Sequence, residues 1–358
     1  MRGKRWLLWL TAVFAVLALA TVAAGCGGDD DEEAGADTTA PAATEAAPAE
    51  EPIQVGLVTD IGGLNDRGFN SLANQGLERA KEELGVEGRV LESKSDADYI
   101  PNLSQLAEEG FDLVVSVGFL MGEATHKAAQ EFPETNFAII DFGYGGPDCK
   151  KTDSCELPNL QGLVFKEQEV GYLVGYLAGL KTESGTVSSV GGQKIPPVDR
   201  FIAGFAAGAK AANPQVKTLN GYSQDFVDQA KCKEVALDQI AKGSDIVFQV
   251  AGGCGLGALD AAKEKSVLGI GVDADQGFLG DHVLTSALKR VDEAVFQTIE
   301  KAASDAFEGG GVTVFGVAEE GVGPGEYNAD VTDDDKAKLD EVTQQIVDGS
   351  ITIPDTVK

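Results

Sequence analysis

Three aspartates in this chain each follow a short apolar run, which is where a parallel strand presents side chains to a ligand. Asp60 follows QVGLVT, Asp141 follows NFAII and Asp273 follows LGIGV, while Asp225 and Phe226 follow the segment LNGYSQ. In open α/β sheets, ligands bind at the carboxyl ends of the strands. One such residue alone is more often a cap or a turn residue. Four loops of this kind together predict a binding site lined by carboxylates and an aromatic ring.

Catalytic chemistry has little support in the sequence. The chain contains no GxSxG or HExxH motif, and its two histidines are His126, on a predicted surface helix, and His282, in a predicted loop. Few general bases that work near neutral pH are therefore present. The glycine loop after Asp60 lacks GxGxxG and GxxxxGK(S/T), so neither a dinucleotide nor a nucleoside triphosphate is indicated. We expect no enzyme activity, no cofactor and no metal site.

The composition is that of an acidic globular protein. Of the 358 residues, 43% are hydrophobic and 24% are charged, and the formal net charge is −30. This charge repels a phosphate backbone, so nucleic-acid binding is disfavoured. Neutral small ligands remain compatible with it, because the local chemistry of a site decides their binding. The length is sufficient for two domains, each with its own core.

The N-terminus has the features of an export signal. Basic residues precede an almost unbroken apolar run at 6–24, which ends in small residues directly before Cys26. The pattern predicts a lipoprotein signal peptide at 1–25 and acylation of Cys26, with palmitate as one expected group. An uncleaved membrane anchor is the alternative, since the run approaches a span of about 20 residues. Either way the folded part would lie on the extracytoplasmic face of the cell membrane, with the acidic segment 26–52 as a disordered tether.

Apart from Cys26, four cysteines remain, and an even number suits an oxidising compartment. Cys149 and Cys155 flank a short polar loop that they can close, which leaves Cys232 and Cys254 as a second pair. A zinc site is the alternative, although no CxxC motif is present. Two disulfides are predicted, and their connectivity stays open.

Short apolar runs alternate with helical patterns along the chain. Besides 54–59, strands are predicted at 89–92, 112–117, 136–141, 160–165, 186–190, 216–220, 244–250, 267–272 and 283–287. Helices are predicted at 69–80, 101–109, 123–132, 167–180, 198–212, 228–241, 256–263, 291–307 and 332–347. The alternation is typical of βαβ units and parallel sheets. The series restarts near 182–185, so we expect a second sheet to begin at Thr186.

Several segments resemble the basic membrane protein family of substrate-binding lipoproteins, which supply nucleosides to ABC importers. The resemblance covers roughly 53–325. It is carried by VTDIGGLNDRGFN, SVGF, FAIID, QEVGYLVGYLAG, GGQKIPPVDRFIAGFAAGA, AGGCGLGALDAA, GVDADQ and LTSALKRV. It implies an α/β protein with the two-lobed type I periplasmic-binding-protein fold, in which each lobe is a mainly parallel sheet flanked by helices.

The resemblance also implies how the chain is divided between the lobes. Residues 53–182 with about 284–307 are expected to form lobe 1, and 183–283 with about 308–330 to form lobe 2. Residues 331–358 are expected to form a C-terminal helix and tail.

The same resemblance implies a set of ligand contacts. These are Asp60, Asn65, Phe69, Asn70, Asp141, Phe226, Gly252, Asp273 and Lys289. Phe201 is the alternative to Phe226 as an aromatic contact, and Asp275 is the alternative to Asp273.

A nucleoside would explain why these residue types occur together. A purine has a flat apolar face and polar edges, which suit rings such as Phe69 and Phe226 and a carboxylate such as Asp141. A ribose has vicinal hydroxyls that can donate to Asp273 and accept from Lys289. The implied function is therefore capture of a nucleoside, with a purine preferred, and its delivery to an ABC permease by a monomeric, lipid-anchored protein.

Three other functions remain open. A free sugar or another neutral polyol would need the carboxylates but fewer rings. A nucleoside hydrolase generally needs a metal-binding aspartate cluster or a paired acid and base, and the aspartate run at 333–335 lies on the predicted terminal helix. A ligand sensor resembling sugar-responsive repressors is disfavoured by the export signal and by the missing DNA-binding headpiece.

Overall fold

The computed structural model describes residues 52–144 and 156–357. The predicted signal peptide, Cys26, the tether up to residue 51 and the pair Cys149 and Cys155 lie outside the described residues. The described residues belong to one compact unit.

Strands and helices alternate through the described residues, as the hydrophobic pattern predicts. The first part contains β1 (Gln54–Thr59), α1 (Phe69–Leu84), β2 (Glu87–Glu92), α2 (Tyr99–Glu108), β3 (Leu113–Val117), α3 (Gly122–Glu131), β4 (Asn136–Ile140), β5 (Leu160–Phe165) and α4 (Glu167–Lys181). The second part contains β6 (Thr186–Gly191), α5 (Pro196–Ala212), β7 (Lys217–Tyr222), α6 (Gln229–Ala241), β8 (Ile246–Val250), α7 (Gly252–Glu264), β9 (Leu268–Asp273), β10 (Val283–Lys289), α8 (Val291–Ala303), β11 (Gly311–Phe315), β12 (Val322–Pro324) and α9 (Asp333–Val347). The predicted strands are all present, with ends that differ from prediction by two residues at most. The sequence did not predict β11 and β12, because they are short and lie among glycines.

The strands form two six-stranded sheets. Sheet 1 has the order β11-β5-β4-β3-β1-β2 with every neighbouring pair parallel. Sheet 2 has the order β12-β10-β9-β8-β6-β7 and is parallel except for β12, which runs antiparallel to β10. Central strands such as β3 are buried along their whole length, as expected when helices cover both faces of a sheet. The predicted α/β class with two mainly parallel sheets is confirmed.

The register brings the ends of the central strands level with one another. In sheet 1, Thr59 pairs with Val117, and Val117 pairs with Ile140. The loops that follow β1, β3 and β4 therefore start at the same edge. In sheet 2, Asp273 at the end of β9 pairs with Leu288 near the end of β10. The side chains that follow these strands are thus collected at the carboxyl edge of each sheet.

The chain passes between the two halves at three crossings. At the first crossing, Lys166, β5 of sheet 1 is followed by α4, which packs against α5. At the second crossing, Arg290, β10 of sheet 2 is followed by α8, which packs against α1. The third crossing, 316–321, joins β11 of sheet 1 to β12 of sheet 2.

Strand pairing differs from the lobe boundaries expected from the sequence. The expected division placed 284–307 in lobe 1 and 308–330 in lobe 2, whereas β10 extends sheet 2 and β11 extends sheet 1. The helix α4, expected in lobe 1, packs on α5 beside sheet 2. The reason is that the chain changes sides directly after the strands β5, β10 and β11, and local sequence does not specify which sheet a strand joins.

Helices α4 and α5 approach each other closely because glycines line their contact. A Cβ at Gly171, Gly175 or Gly179 on α4 would collide with a backbone carbonyl of α5, and one at Gly204 or Gly208 on α5 would collide with the backbone of α4. The distance between packed helices depends on the side chains at the contact. This packing brings the first turns of the two helices together beside the first crossing.

Candidate ligand-binding site

A cleft lies between the carboxyl edges of the two sheets. It has an empty volume of about 620 Å³, part of which is open solvent, and both sheets contribute to its lining. Most of the contacts expected from the sequence line it. These are Asp60, Phe69, Asn70, Asp141, Phe226, Gly252, Asp273 and Lys289. Asp66, Gly118 and Phe201 line it as well.

Asn65 is the expected contact that the structure does not place in the cleft lining. Its side chain is exposed, and the neighbouring Asp66 is buried instead. One oxygen of Asp66 accepts from the backbone N–H of Gly68 and Ser71, both at 3.1 Å, and the other accepts from the N–H of Asn70 at 2.7 Å. Because Asp66 satisfies the free N–H groups at the start of α1, it turns inward and leaves Asn65 at the surface.

Asp60 and Asn70 form a polar pair in the cleft. The amide Nδ2 of Asn70 donates to Asp60 Oδ1 at 2.9 Å, and the Oδ1 of Asn70 is buried without a hydrogen-bond partner among the described residues. Gly118 after β3 has a φ of 126°, and a Cβ there would lie 2.5 Å from Asp60 Oδ2. Burial raises the pKa of Asp60 to about 6 despite the hydrogen bonds from Asn70 and Gly62. The pair therefore offers acceptors to a ligand in a poorly hydrated place.

Lys289, the last residue of β10, is buried beside two carboxylates. Its Nζ lies 2.6 Å from Asp141 Oδ1 and 2.9 Å from Glu167 Oε1. Burial alone would lower the pKa of Lys289, but the attraction of Asp141 and Glu167 outweighs it and raises the pKa. The same Nζ lies 5.1 Å from the ring centre of Phe69. Lys289 is therefore charged and can donate to a ligand hydroxyl.

Asp141 and Asp273 reach the cleft from unusual backbone conformations. Their φ angles are 76° and 64°, in the left-handed region that side chains other than glycine rarely adopt. Such strained residues are concentrated at functional sites. Among the described residues, no group donates a hydrogen bond to the Asp273 carboxylate, and burial raises its pKa to about 7. Asp273 is thus available to a ligand.

The alternative to Asp273 has a different role in the structure. Asp275 accepts from the backbone N–H of Gly277 at 3.0 Å and from that of Glu326 at 3.1 Å, and it does not line the cleft. Asp225 likewise serves its own loop, accepting from the N–H of Val227 and from the N–H of Asp228. Both aspartates are turn residues.

Four phenylalanine rings line the cleft. Phe69 begins α1, Phe119 lies two residues after β3, Phe201 lies in the second turn of α5, and Phe226 lies in the loop between β7 and α6. The Phe226 ring rests on the backbone of Gly192, where a Cβ would collide with it. Phe201 and Phe226 are therefore both present as aromatic contacts.

A disulfide lies directly behind the loop that carries Phe226. Cys232 on α6 and Cys254 on α7 are joined in the structure with a Cα to Cα distance of 5.6 Å, and both side chains are buried. The backbone N–H of Cys254 donates to the carbonyl of Phe226 at 2.9 Å. The predicted pair Cys232 and Cys254 thus ties together two walls of the cleft.

Glu167 and Arg200 are site residues that sequence analysis missed. Glu167 is fully buried at the start of α4, and Arg200 Nε donates to its Oε2 at 2.6 Å. In the sequence, Glu167 looks like an ordinary acidic residue in the first turn of a helix. Arg200 lies within the matched segment GGQKIPPVDRFIAGFAAGA and Glu167 directly precedes QEVGYLVGYLAG, which was the signal that could have drawn attention to them.

In the part of the chain that the structure describes, no group of three or more His, Cys, Asp and Glu residues could hold a metal ion. Among its helices, none has both the length and the apolar character needed to cross a membrane.

Comparison with known proteins places these features in context. Residues 53–357 match the family Bmp, described as ABC transporter substrate-binding protein PnrA-like. The chain is 33% identical to a CD4+ T-cell-stimulating antigen of Listeria innocua, over 96% of this chain and 97% of that protein. It is 31% identical to the ABC transporter nucleoside-binding protein BmpA of Lactococcus lactis, over 84% and 89%. It is 33% identical to an uncharacterised lipoprotein of Pyrococcus horikoshii, over 86% and 74%.

A solved structure has the same architecture. An ABC transporter solute-binding protein from Aeropyrum pernix superposes with a TM-score of 0.76 at 28% identity, covering 86% of this chain and 94% of that one. The two sheets and their flanking helices thus form the type I periplasmic-binding fold.

Proposed function

The chain belongs to the Bmp family of ABC transporter substrate-binding proteins, and on that premise we propose that it captures a nucleoside and delivers it to an ABC importer. The relative from Lactococcus lactis, whose name states nucleoside binding, supports this ligand class. The type I periplasmic-binding fold supports capture between two lobes that close by a hinge motion.

One observation carries the proposal: aromatic rings, carboxylates and a buried ammonium line the same cleft. A nucleoside needs both kinds of group, since its base offers a flat face and its ribose offers hydroxyls. Phe69 and Phe226 would stack on the base. Asp273 would accept from the ribose hydroxyls, and Lys289 would donate to them.

The base edge is assigned to the polar pair of Asp60 and Asn70. Asp141 was expected there, but one of its oxygens holds Lys289. The partnerless Oδ1 of Asn70 and the Asp60 carboxylate supply acceptors that a purine edge can satisfy. Four rings around one cleft favour the larger stacking area of a purine.

The N-terminal sequence supports attachment to the membrane. A basic head, an apolar run and small residues before Cys26 are typical of a lipoprotein signal, and a relative is named as a lipoprotein. We infer that Cys26 is acylated and that residues 27–51 tether a monomeric binding domain on the extracytoplasmic face.

The test is isothermal titration of the segment 50–358 with adenosine, guanosine, inosine, cytidine, uridine and ribose, after unfolding and refolding to remove bound ligand. We expect saturable binding of purine nucleosides. A hydrogen bond to a charged group contributes about 1.5–3 kcal/mol, so Asp273→Ala should weaken binding about 10-fold to 100-fold. Loss of a stacked ring should cost about 1–3 kcal/mol in Phe69→Ala.

The matched control is Asp275→Asn, which changes a neighbouring aspartate outside the cleft and should leave the affinity within about twofold because its hydrogen bonds serve the loop alone. Ribose binding as tightly as any nucleoside would favour a sugar-binding protein. Absence of binding to all six compounds would refute nucleoside capture and leave the family assignment untouched.

A further inference from the structure

The three crossings are joined to one another by hydrogen bonds. The backbone N–H of Lys166 at the first crossing donates to the carbonyl of Phe315, which precedes the third, at 2.9 Å. The N–H of Arg290 at the second crossing donates to the carbonyl of Gly321 at the end of the third, also at 2.9 Å. The first and second crossings are joined by side chains, through Glu167 and Lys289 at 2.9 Å.

This side-chain link differs from the backbone links because it reaches the cleft. Lys289 lines the cleft, and Glu167 lies behind it without lining it. Glu167 therefore contacts the Lys289 ammonium from the side that faces away from the cleft.

Both oxygens of Glu167 are used. Oε1 accepts from Lys289, and Oε2 accepts from Arg200 on α5, which the close packing of α4 and α5 brings alongside. Burial would raise the pKa of Glu167, but Lys289 and Arg200 outweigh it and lower the pKa. Glu167 is thus ionised, and its hydrogen bond to Arg200 holds its carboxylate in place beside Lys289.

The groups around the Lys289 ammonium leave it open to a ligand only on the side of the cleft. An ammonium has three N–H donors. Glu167 Oε1 accepts from one of them, while Asp141 Oδ1 lies 2.6 Å from Nζ as an ion-pair partner without a hydrogen bond. The rings of Phe69, Phe165 and Phe201 lie 5.1, 4.9 and 5.8 Å from Nζ and offer no acceptor oxygen or nitrogen. A donor of Lys289 therefore remains for a hydroxyl in the cleft.

We propose that Glu167 is the positioning residue for the Lys289 ammonium, holding it at the junction of the first two crossings so that its remaining donor meets the ligand's ribose hydroxyls. The proposal rests on the nucleoside function proposed above. It assigns Glu167 a role in ligand affinity without ligand contact.

The experiment compares Glu167→Gln with the wild-type segment 50–358 by titration. The probes are adenosine, inosine and guanosine, each beside its 2′,3′-dideoxy analogue. We expect Glu167→Gln to weaken binding of the nucleosides by about tenfold, since a displaced ammonium loses one charge-assisted hydrogen bond. The dideoxy analogues lack the hydroxyls that Lys289 would serve, so their affinity should change by less than about threefold. A purely structural role would weaken both series equally.

The matched control is Glu169→Gln, which removes a second carboxylate from the first turn of α4. Glu169 accepts from the N–H of Val317 at 2.7 Å and lies 3.5 Å from Lys166, so it serves the crossings but not the cleft. Its affinities should stay within about twofold of wild type for both series, because it makes no contact with Lys289.

Glu167→Gln leaves the charge of Arg200 beside a neutral amide, which could destabilise the fold. A second variant therefore distinguishes a folding defect from a loss of positioning. The double variant Glu167→Gln/Arg200→Gln removes one charge of each sign and keeps the side chains polar. It should show the same selective loss for the hydroxylated nucleosides. Equal losses in both series, or no loss, in a folded variant would overturn the positioning role. If wild type bound none of the nucleosides, the proposed function and this inference would both be overturned.

Discussion

Asp141 and Asp273 occupy equivalent places in the two halves of the molecule. Asp141 directly follows β4, and Asp273 ends β9. In spatial order, β4 is third from the β11 edge of sheet 1 and β9 is third from the β12 edge of sheet 2. Both have left-handed backbones, and both are largely buried, with 5% and 8% of their surface exposed. The fold therefore delivers the same kind of side chain to the cleft from each half.

Their electrostatic surroundings differ. Asp141 lies 2.6 Å from the Lys289 ammonium, whereas no group among the described residues donates to the Asp273 carboxylate. Burial is the largest influence on both carboxyls and raises the pKa of each, with Lys289 opposing it. The comparison shows that strand position and backbone conformation bring a carboxylate to the cleft. The neighbouring side chains then determine whether that carboxylate forms an ion pair within the protein or stays available to a ligand.

Removal of Lys289 should leave Asp141, like Asp273, without an ion-pair partner. In Lys289→Met, both Asp141 and Glu167 lose a buried partner, and breaking such a pair costs about 3–5 kcal/mol. The free energy of unfolding should fall accordingly, and urea unfolding of the ligand-free segment 50–358 near pH 8 measures the loss.

The control for that substitution is Lys231→Met. Lys231 pairs with Asp225 in an exposed loop, and exposed ion pairs contribute about 0–1 kcal/mol. Equal losses in the two variants would show that Lys289 does not stabilise Asp141.

Neutralising each aspartate should change stability to different extents. Asp141→Asn relieves a buried carboxyl whose pKa is raised but takes a charged partner from Lys289, so the two effects oppose each other and the net change in the free energy of unfolding should be small, about 1 kcal/mol or less. Asp273→Asn removes a buried charge without a donor. Because the pKa of Asp273 is raised from 3.8 to about 7, ionisation lowers stability as pH rises through that range. The variant should therefore gain up to about 2 kcal/mol near pH 8.

Urea unfolding of the two ligand-free variants near pH 8 gives both values, and most of the gain from Asp273→Asn should be lost near pH 4, where the folded-state carboxyl is protonated and the unfolded-state carboxyl is about half protonated. A loss of stability in both variants would mean that Asp273 has a donor in solution.

The affinity for a nucleoside should depend on pH through Asp273. Ribose hydroxyls donate to the ionised carboxylate, so the ligand must displace a proton below a pKa of about 7. Affinity should then fall by up to about tenfold between about pH 7.5 and pH 6 and stay level above pH 7.5. Asp60, with a pKa of about 6, would steepen the fall below pH 6. Titration with adenosine across this range measures the profile.

The control is the profile of Asp273→Asn, which should bind more weakly and show little dependence on pH above about pH 6.5. A wild-type profile as flat as that of the variant would exclude ionised Asp273 as the acceptor.

Much of the fold follows from local sequence features. Apolar runs predicted the strands because burial on both faces of a parallel sheet requires them, and Asp60, Asp141 and Asp273 were found because they follow such runs. The crossings were placed less well, since β10 is a short apolar segment that could join either sheet and β11 was not predicted at all. The sequence also did not show that Asp66, and not Asn65, would line the cleft, because both are good capping residues.

The residue types that reach the cleft were determined by the sequence alone, because strand ends and helix starts are set by local hydrophobic periodicity and capping. Their partners were decided by the tertiary structure. Lys289 and Glu167 are 122 positions apart and meet only because the first two crossings lie side by side. Whether Asp141 is paired and Asp273 is available depends on that meeting, since an ion pair needs two charges within a few ångströms and local sequence does not specify such a distance.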